Sequence, residues 1–310
     1  MRNDTCRYIA CTFLLTIIVV QQSLSQSKTV TGNYSFYASL DNIEKAEKRK
    51  LLVELTDEPE VNDKLIEAVK EFWKFNSEYE IVSHTALLDS LNKCPSKYTI
   101  LGLKYIEGNT INYSSIFLRF AISLGEKYMN MKDVYFIDIL PSRSSGHLAI
   151  KLQDAIFAIC YIQNHFEARK KHIIRFGYTE IRSYQHELEK KTLLLDSALF
   201  SRKLNVDKIP EDYHLRYKIC SSKDIEEALM KKDGLFACAQ TIPVVCDSDI
   251  RMYYVLDCAN CHILSYGDMF NGFGDFGFSN YINGKQLRLF EQHSGFDFYT
   301  YGKKSDQLNF

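Results

Sequence analysis

Apolar residues along the chain fall into short runs, separated by segments in which they recur every three or four positions. The runs are typical of buried strands and comprise residues 51–55, 79–83, 98–105, 113–123 and 134–140. Between the first two runs, helical spacing places apolar side chains on one face: Leu65, Ile66, Val69, Phe72 and Trp73. A shorter helix is predicted over residues 84–92. This alternation of strands and helices predicts an α/β unit over residues 51–140.

The same order of elements is predicted a second time, about 138 residues further along the chain. The sequence YEIVSHTALLDSLNK, which begins at Tyr79, aligns with YKICSSKDIEEALMK, which begins at Tyr217. Each block follows an apolar strand and precedes another strand and a hairpin. Agreement over this length indicates an internal repeat. We therefore expect an α/β (α+β) fold of two related mixed-sheet halves, residues 51–140 and 190–290, packed together.

Residues 145–170 are predicted to form a long helix between the two halves. One broad face of this helix is apolar and is made of Leu148, Leu152, Ala155, Ile156, Ile159, Ile162 and Phe166. Three more apolar side chains widen the face: Ile150, Phe157 and Cys160. So wide an apolar surface is typical of a helix buried between layers. We expect this helix to connect the halves into one body.

The amino terminus has the order of residues that is typical of a secretory signal peptide. Arg2 and Arg7 precede an apolar run over residues 8–20. Polar and small residues follow that run as far as Ser25. The 13-residue run is shorter than the roughly 20 residues needed to span a bilayer. We predict cleavage after Ser25 and an exported protein, periplasmic or extracellular, with no transmembrane segment in the mature chain.

Charge is balanced, with 38 Lys and Arg against 39 Asp and Glu, so the formal net charge is −1. Such a chain has no basic excess to attract nucleic acid, and no nucleic-acid partner is expected. Residues 26–50 are expected to be a polar lead-in and residues 291–310 a polar tail. The sequence contains no G-x-S-x-G elbow, P-loop or H-x-x-x-H pair. Hydrolytic, phosphoryl-transfer and metal chemistry therefore have no motif to support them.

Glycine and aromatic residues are interleaved near the carboxy-terminal end. Residues 272–277 match G-x-G-x-x-G, but the phosphate-binding form of that motif opens a helix inside a βαβ unit, and little chain follows here. We predict instead a loop that either contacts a partner or folds back onto the core. Its large apolar side chains are Met269, Phe270, Phe273, Phe276 and Phe278.

Seven cysteines remain after removal of residues 1–25: Cys94, Cys160, Cys220, Cys238, Cys246, Cys258 and Cys261. Export permits disulfides, but an odd number leaves at least one thiol unpaired. Residues 258–262, Cys-Ala-Asn-Cys-His, have the spacing that attaches haem c. One hypothesis is therefore a redox protein that uses Cys258, Cys261 and His262, either with haem c or as a dithiol.

The strand-like segments around this pentapeptide favour a structural role instead. Residues 235–245 and 250–256 predict two strands, and a third begins at His262, so the pentapeptide is expected to form a tight turn in a meander. A turn provides no helix N-terminus to lower a thiol pKa. If the preceding turn centres on Ser248, Cys238 lies opposite Cys258. The disulfide candidates are then Cys258–Cys261 and Cys238–Cys258, and no metal site is expected because Cys246 lies far from them.

The order of elements resembles the amino-terminal α/β domain of periplasmic TolB-like envelope proteins. The segments that carry the resemblance follow a signal peptide and are LLVELTD, YEIVS and YTILGL. It covers about residues 50–140 and 190–267 and rests on no specific motif. The resemblance implies an envelope component that contacts another protein and has no catalytic activity. We therefore expect an exported, non-catalytic protein that binds another envelope protein or a surface ligand, with the redox protein as the alternative.

Overall fold

The computed structural model describes residues 39–292, apart from 110–113, 127–132, 140, 145–146, 172–185, 203, 245–246 and 268–280. The predicted signal peptide lies outside the described residues, as does the carboxy-terminal tail after residue 292. The predicted contact-loop residues also lie outside them: Met269, Phe270, Phe273, Phe276 and Phe278.

The first sheet has the strand order β2-β1-β3-β4-β5. Strand β1 pairs in parallel with β2 and β3, whereas β3, β4 and β5 form antiparallel pairs. In chain order the elements of this half are α1 (Leu40–Lys48), β1 (Lys50–Glu54), α2 (Pro59–Phe72), β2 (Tyr79–Val82), α3 (His84–Lys93), β3 (Tyr98–Asn109), β4 (Ser114–Leu124) and β5 (Asp133–Ile139).

A hairpin and a long helix follow the first sheet and lead to the second, whose strand order is β12-β11-β10-β8-β9. The elements are β6 (Ser142–Ser144), β7 (His147–Ala149), α4 (Leu152–Lys170), β8 (Thr192–Asp196), α5 (Ile209–Asp212), β9 (Tyr217–Cys220), α6 (Ser222–Met230), β10 (Phe236–Val244), β11 (Asp247–Asp257), β12 (Ile263–Gly267) and α7 (Gly284–Gln292).

The two sheets have the same strand order when β8 to β12 are matched with β1 to β5 in sequence. Their register also agrees, because Leu51 pairs with Tyr79 as Leu193 pairs with Tyr217. The predicted α/β fold with two mixed-sheet halves is confirmed. By this register Glu54, at the end of β1, is equivalent to Asp196, at the end of β8. His84, two residues after β2, is equivalent to Ser222, two residues after β9.

The halves turn opposite faces of their sheets toward α4. In the first sheet Leu51 and Val53 belong to the hydrophobic cluster around α4, whereas Leu52 packs under α3 on the outer face. In the second sheet the parity is reversed: Leu194, equivalent to Leu52, belongs to the cluster around α4. Leu193, equivalent to Leu51, packs on the other face. Helix α3 therefore lies outside, whereas its counterpart α6 contacts α4.

Helix α4 begins at Leu152 and not at residue 145 as the apolar pattern predicted. The residues before it form the β6–β7 hairpin, and Leu148 of β7 lies four positions before Leu152, so that it resembles a continuation of the helix face. Most of α4 is buried, including the polar Asn164 and His165. Side chains from both sheets pack around it in one cluster, as expected for a helix that connects two halves.

The segment expected to be a polar lead-in contains helix α1. Ser39 caps this helix by accepting a hydrogen bond from the amide of Asn42 at 3.2 Å. Ile43 and Ala46, three positions apart, are fully buried, whereas most of the other side chains face solvent. Two apolar residues are too few to be recognised as a helical pattern. Within the described residues, no helix has the length and apolar character required to cross a bilayer.

Candidate functional site

The predicted cysteine turn is present between β11 and β12 and is held by its own polar groups. The amide of Asp257 donates to the carbonyl of His262 at 2.8 Å, and the amide of Cys261 donates to the carbonyl of Asp257 at 2.9 Å. The Asp257 carboxylate accepts from the amide of Ala259 at 2.9 Å, and the Asn260 side chain accepts from the amide of His262 at the same distance. The chain therefore folds back sharply here, as the strand pattern predicted.

A buried ion pair fixes the start of this turn. Nζ of Lys191 lies 3.0 Å from Oδ1 of Asp257, and both side chains are more than nine-tenths buried. The same ammonium group donates to the carbonyl of Gly234 at 2.7 Å. Because the lysine has two acceptors and the carboxylate also accepts an amide, the buried charges are well compensated.

The register between β10 and β11 differs from the predicted one by two residues. Cys238 pairs with Leu256 and not with Cys258, and the ladder between the two strands has a register shift between Pro243 and Val244. Even so, the amide of Cys258 donates to the carbonyl of Phe236 at 3.1 Å, which keeps the two segments adjacent. The thiol of Cys258 lies close enough to that of Cys238 to raise the pKa of Cys238. The predicted proximity of this pair therefore survives the change of register.

Cys160, which in the sequence pattern is only part of an apolar helix face, joins these residues. The thiol of Cys261 lies close enough to that of Cys160 to raise the pKa of Cys160. Cys160, Cys238, Cys258 and Cys261 are all buried, and we call them the core cysteine cluster. A single cysteine on a buried helix face shows no partner in sequence, because the partner lies in the other half of the chain.

The chemistry of the core cysteine cluster is that of protonated thiols. Burial, assisted by the neighbouring thiol of Cys261, holds the pKa of Cys160 well above its usual value. The neighbouring thiol of Cys258 does the same to the pKa of Cys238, with burial as the second cause. Thiolates, and not thiols, are the nucleophiles and metal ligands of proteins. No set of three or more His, Cys, Asp or Glu side chains in the described ranges, these four included, is placed to hold a metal ion.

The turn does not favour the redox alternative. Strand β12 follows Cys261, so no helix N-terminus stabilises a thiolate. Attachment of haem c requires both thiols to bond to the macrocycle, whereas here each thiol contacts another core cysteine. His262 is half-buried, and burial lowers the pKa of its imidazole. The haem hypothesis stays a prediction, with Cys258, Cys261 and His262 as the residues that would carry it.

A second group of functional side chains lies at the carboxyl end of the first sheet. In the order β2-β1-β3, the connection after β1 leads to β2 on one side of β1. The connection after β2 crosses to β3 on the other side of β1. Open α/β sheets bind ligands where such crossovers diverge. Glu54 ends β1 at this position, and Nδ1 of His84, the first residue of α3, lies 2.6 Å from its Oε1. The absence of a side chain at Gly102 leaves room for the carboxylate, since a Cβ there would lie 3.2 Å from Oε2 of Glu54.

The loop after β1 adds further polar groups. The amide of Thr56 donates to the side-chain oxygen of Asn62 at 2.8 Å, and the Asn62 amide returns a bond to the Thr56 carbonyl. The Thr56 hydroxyl lies near the phenol of Tyr105, and the Tyr105 side chain is 45% exposed. Partial burial raises the pKa of Tyr105, and the carboxylates of Asp57 and Glu58 raise it further. We call Glu54, Thr56, His84 and Tyr105 the strand-end site.

The equivalent position of the second sheet is filled by the chain itself. Asp196 ends β8 and is hydrogen-bonded to the hydroxyl of Ser222, the first residue of α6. Nζ of Lys151 lies 3.2 Å from Oδ2 of Asp196 and donates to Ser222 at 2.8 Å. The Asp196 side chain is 2% exposed, against 18% for Glu54. This side of the second sheet faces α4, and Lys151 immediately precedes that helix, so its ammonium group reaches the carboxylate.

A buried network continues from Lys151 into the second sheet. Gln240, at the position equivalent to Gly102, donates its amide to Asp154. The amide of Leu152 donates to the Glu226 carboxylate at 2.9 Å, so α6 helps to cap α4. Burial raises the pKa of Asp154 to about 6, against the opposing effects of Lys151 and Gln240.

The strand-end carboxylates were missed because a single acidic residue after an apolar run looks like an ordinary strand end. The usable signal was the alignment of the two halves, in which Glu54 and Asp196 end equivalent strands. The chain matches no protein-family model, no curated protein and no solved structure. Proposals about function therefore rest on the geometry described above, and the resemblance to TolB-like domains stays a prediction.

Proposed function

We propose that the chain is an exported, non-catalytic α/β protein that binds a positively charged group of another envelope protein or surface ligand at the strand-end site. The observation that carries this proposal is the contrast between two equivalent carboxylates. Asp196 is paired with the ammonium group of Lys151 and closed off from solvent, whereas Glu54 remains partly exposed beside an exposed imidazole.

Lys151 supports the choice of a cationic ligand, because it occupies the second sheet in the way that we propose for the first. Its ammonium group bridges a strand-end carboxylate and the side chain at the first position of the next helix. A lysine or arginine side chain, or another primary amine, would make the corresponding contact with Glu54. Charge-assisted hydrogen bonds of this kind are stronger than neutral ones.

Electrostatics and aromatic character around Glu54 support the same ligand class. Asp57 and Glu58 lie close enough to Tyr105 to raise the pKa of its phenol, so three carboxylates border this end of the sheet. Their combined field favours a cation. The exposed ring of Tyr105 adds a surface on which an ammonium or guanidinium group is attracted to the π electrons.

The other strongly shifted groups support a structural role. Asp154, Cys160 and Cys238 are buried, and each contacts a named protein partner. A catalytic acid, base or nucleophile needs access to its substrate. Within this proposal these groups stabilise the fold, and the strand-end site binds the partner.

We further propose that the halves arose by internal duplication and that the chain is an envelope component like the TolB-like domains that its element order resembles. Equal strand order and register in the two sheets support the duplication. The residues before Gln26 support export. Cell fractionation of the full-length chain, with determination of the mature amino terminus, tests export, and we expect the mature chain to begin at Gln26.

Binding is tested with a short lysine-rich peptide and its acetylated form, in which every lysine is neutral. Calorimetry at low salt should show binding of the first peptide and not of the second. Glu54→Gln should weaken the affinity roughly tenfold, as expected for loss of one charge-assisted contact. Asp207→Asn removes one exposed negative charge from the other half and serves as the control. Equal binding by wild type and Glu54→Gln, or no binding by wild type, would contradict the proposal.

A further inference from the structure

The core cysteine cluster brings together residues from three elements that are far apart in the chain. Cys160 lies on α4, Cys238 on β10, and Cys258 and Cys261 in the turn between β11 and β12. Within the cluster, Cys261 is the thiol neighbour with the largest effect on the pKa of Cys160, and Cys258 is the one with the largest effect on the pKa of Cys238, which indicates two pairs. Disulfide formation requires such close approach of two sulfurs.

Backbone geometry independently places the first pair in contact. Asn164, one turn after Cys160 on α4, donates its amide to the carbonyl of Cys261 at 2.5 Å. Residues four apart lie on the same helix face, so the face that carries Cys160 is directed at Cys261. Cys261 also has φ of +62°, in the left-handed region that glycine adopts most easily. A cysteine at such a position indicates that its side chain is needed.

The strand register makes the second pair diagonal neighbours on adjacent strands. Cys238 pairs with Leu256 and Ala237 pairs with Asp257, so Cys258 lies one step beyond the ladder position next to Cys238. Cys258 continues that ladder by donating its amide to the carbonyl of Phe236 at 3.1 Å. Cys258 also follows Leu256, the partner of Cys238, by two positions, and residues two apart in a strand share a face.

We propose that the exported protein contains two disulfides, Cys160–Cys261 and Cys238–Cys258. In each reaction two thiols lose two electrons and two protons as one S–S bond forms. The oxidant is a dithiol–disulfide exchange partner, whose own S–S bond breaks to give two thiols. This inference rests on the proposed export, because reducing compartments keep thiols free. It replaces Cys258–Cys261 as the pairing within the turn.

Burial determines when these bonds form. Exchange begins with a thiolate, and in the folded chain the pKa values of Cys160 and Cys238 are well above the usual range. The bonds therefore form while the cluster is still open, before α4 packs against the turn. Once formed, Cys160–Cys261 joins the connecting helix to the second sheet, and Cys238–Cys258 closes the ladder between β10 and the turn.

The pairing is tested by peptide mapping of the full chain without reduction, after free thiols are blocked under denaturing conditions. Two preparations are compared: protein recovered from the exported fraction, and protein refolded with oxidised glutathione. In both we expect two linked peptide pairs, Cys160 with Cys261 and Cys238 with Cys258, each lighter by two hydrogens than the reduced peptides. Cys94 and Cys220, which are half-buried, are the internal controls and should carry the blocking group.

Failure of the pairing and failure of export give different results. A chain that stays in the cytosol but forms both bonds on refolding contradicts export and supports the pairing. Refolded protein that contains a Cys258–Cys261 bond, or four free core thiols, overturns the pairing even where export is observed. A Cys160→Ala, Cys261→Ala double variant should retain the Cys238–Cys258 bond. This result would distinguish two specific disulfides from random pairing among the four cysteines.

Discussion

Nζ of Lys151 lies 3.2 Å from Oδ2 of Asp196, so the residue that precedes the connecting helix neutralises the carboxylate that ends β8 in the second sheet. The Ser222 hydroxyl contacts both groups, which makes the pair a three-membered network. The equivalent carboxylate in the first sheet, Glu54, has an imidazole neighbour and lies on the side turned away from α4. One topology therefore produces one closed and one open strand end.

Lys151→Met is expected to destabilise the protein by about 1–3 kcal/mol, because it leaves the buried Asp196 carboxylate without its cation. The expected loss is smaller than that for a fully buried pair, because the lysine side chain is 42% exposed and solvent screens its charge. Urea denaturation at neutral pH measures the change. Lys45→Met breaks an exposed pair with Asp41 and should cost less than about 1 kcal/mol. Equal losses in the two variants would contradict the proposed role of Lys151.

Asp154 should make the protein less stable as pH rises from about 4 to about 6. Burial raises the folded pKa to about 6 from 3.8, so the folded chain retains a proton that the unfolded chain releases. The stabilisation from this group is therefore fully present below the pKa of the unfolded state. It is lost as pH rises through the pKa of the folded state, and the total loss is about 3 kcal/mol. Asp154→Asn should lack this decline. The difference in the free energy of unfolding between variant and wild type, measured by urea denaturation at pH 4, 5, 6 and 7, should therefore change with pH. A pH-independent difference would contradict it.

His165 should make the protein less stable as pH falls, which is the opposite pH dependence to that of Asp154. Burial lowers the pKa of its imidazole to about 3 from 6.5, so the unfolded chain binds a proton that the folded chain excludes. Its contribution is therefore complete above pH 6.5 and is lost as pH falls toward 3. The ring stacks on Tyr135 at 3.9 Å between centroids, and its Nε2 has no hydrogen-bond partner among the described residues.

His165→Phe keeps an aromatic ring on Tyr135 and removes the titrating group. We expect the variant to lose less stability than wild type between pH 7 and pH 5, as measured by urea denaturation. His186→Phe, at an exposed position, is the control and should leave the slope unchanged. A variant with the same acid sensitivity as wild type would show that His165 does not titrate as described.

The visible spectrum of the purified exported protein should lack a Soret band. The thiols of Cys258 and Cys261 contact Cys238 and Cys160, and a covalently attached haem would have to replace both contacts. Absorption spectra with and without dithionite provide the measurement. A Soret band that persists after denaturation would establish covalent haem, and the redox alternative would then replace the proposed binding function.

Local patterns were sufficient for much of the fold, because period-two and period-three-to-four signals depend only on neighbouring residues. The strand over Leu51 and its neighbours, the helix with Leu65 and Val69, and the turn at Asp257 were all predicted within a few residues of their observed positions. Helix α1 and the β6–β7 hairpin were not, since Ile43 and Ala46 are too few to show a period and the hairpin continues the apolar pattern of α4.

The sequence by itself determined most of the strands and helices, the two mixed-sheet halves and the sharp turn that carries Cys258 and Cys261. Only the tertiary structure decided that Cys160 meets Cys261, that Cys238 pairs with Leu256, and that Asp196 is closed while Glu54 remains partly exposed. The physical reason is that hydrophobic periodicity specifies the face that a segment buries and not the element against which it packs. Opposite sheet faces meet α4 in the two halves, so equivalent residues have different neighbours.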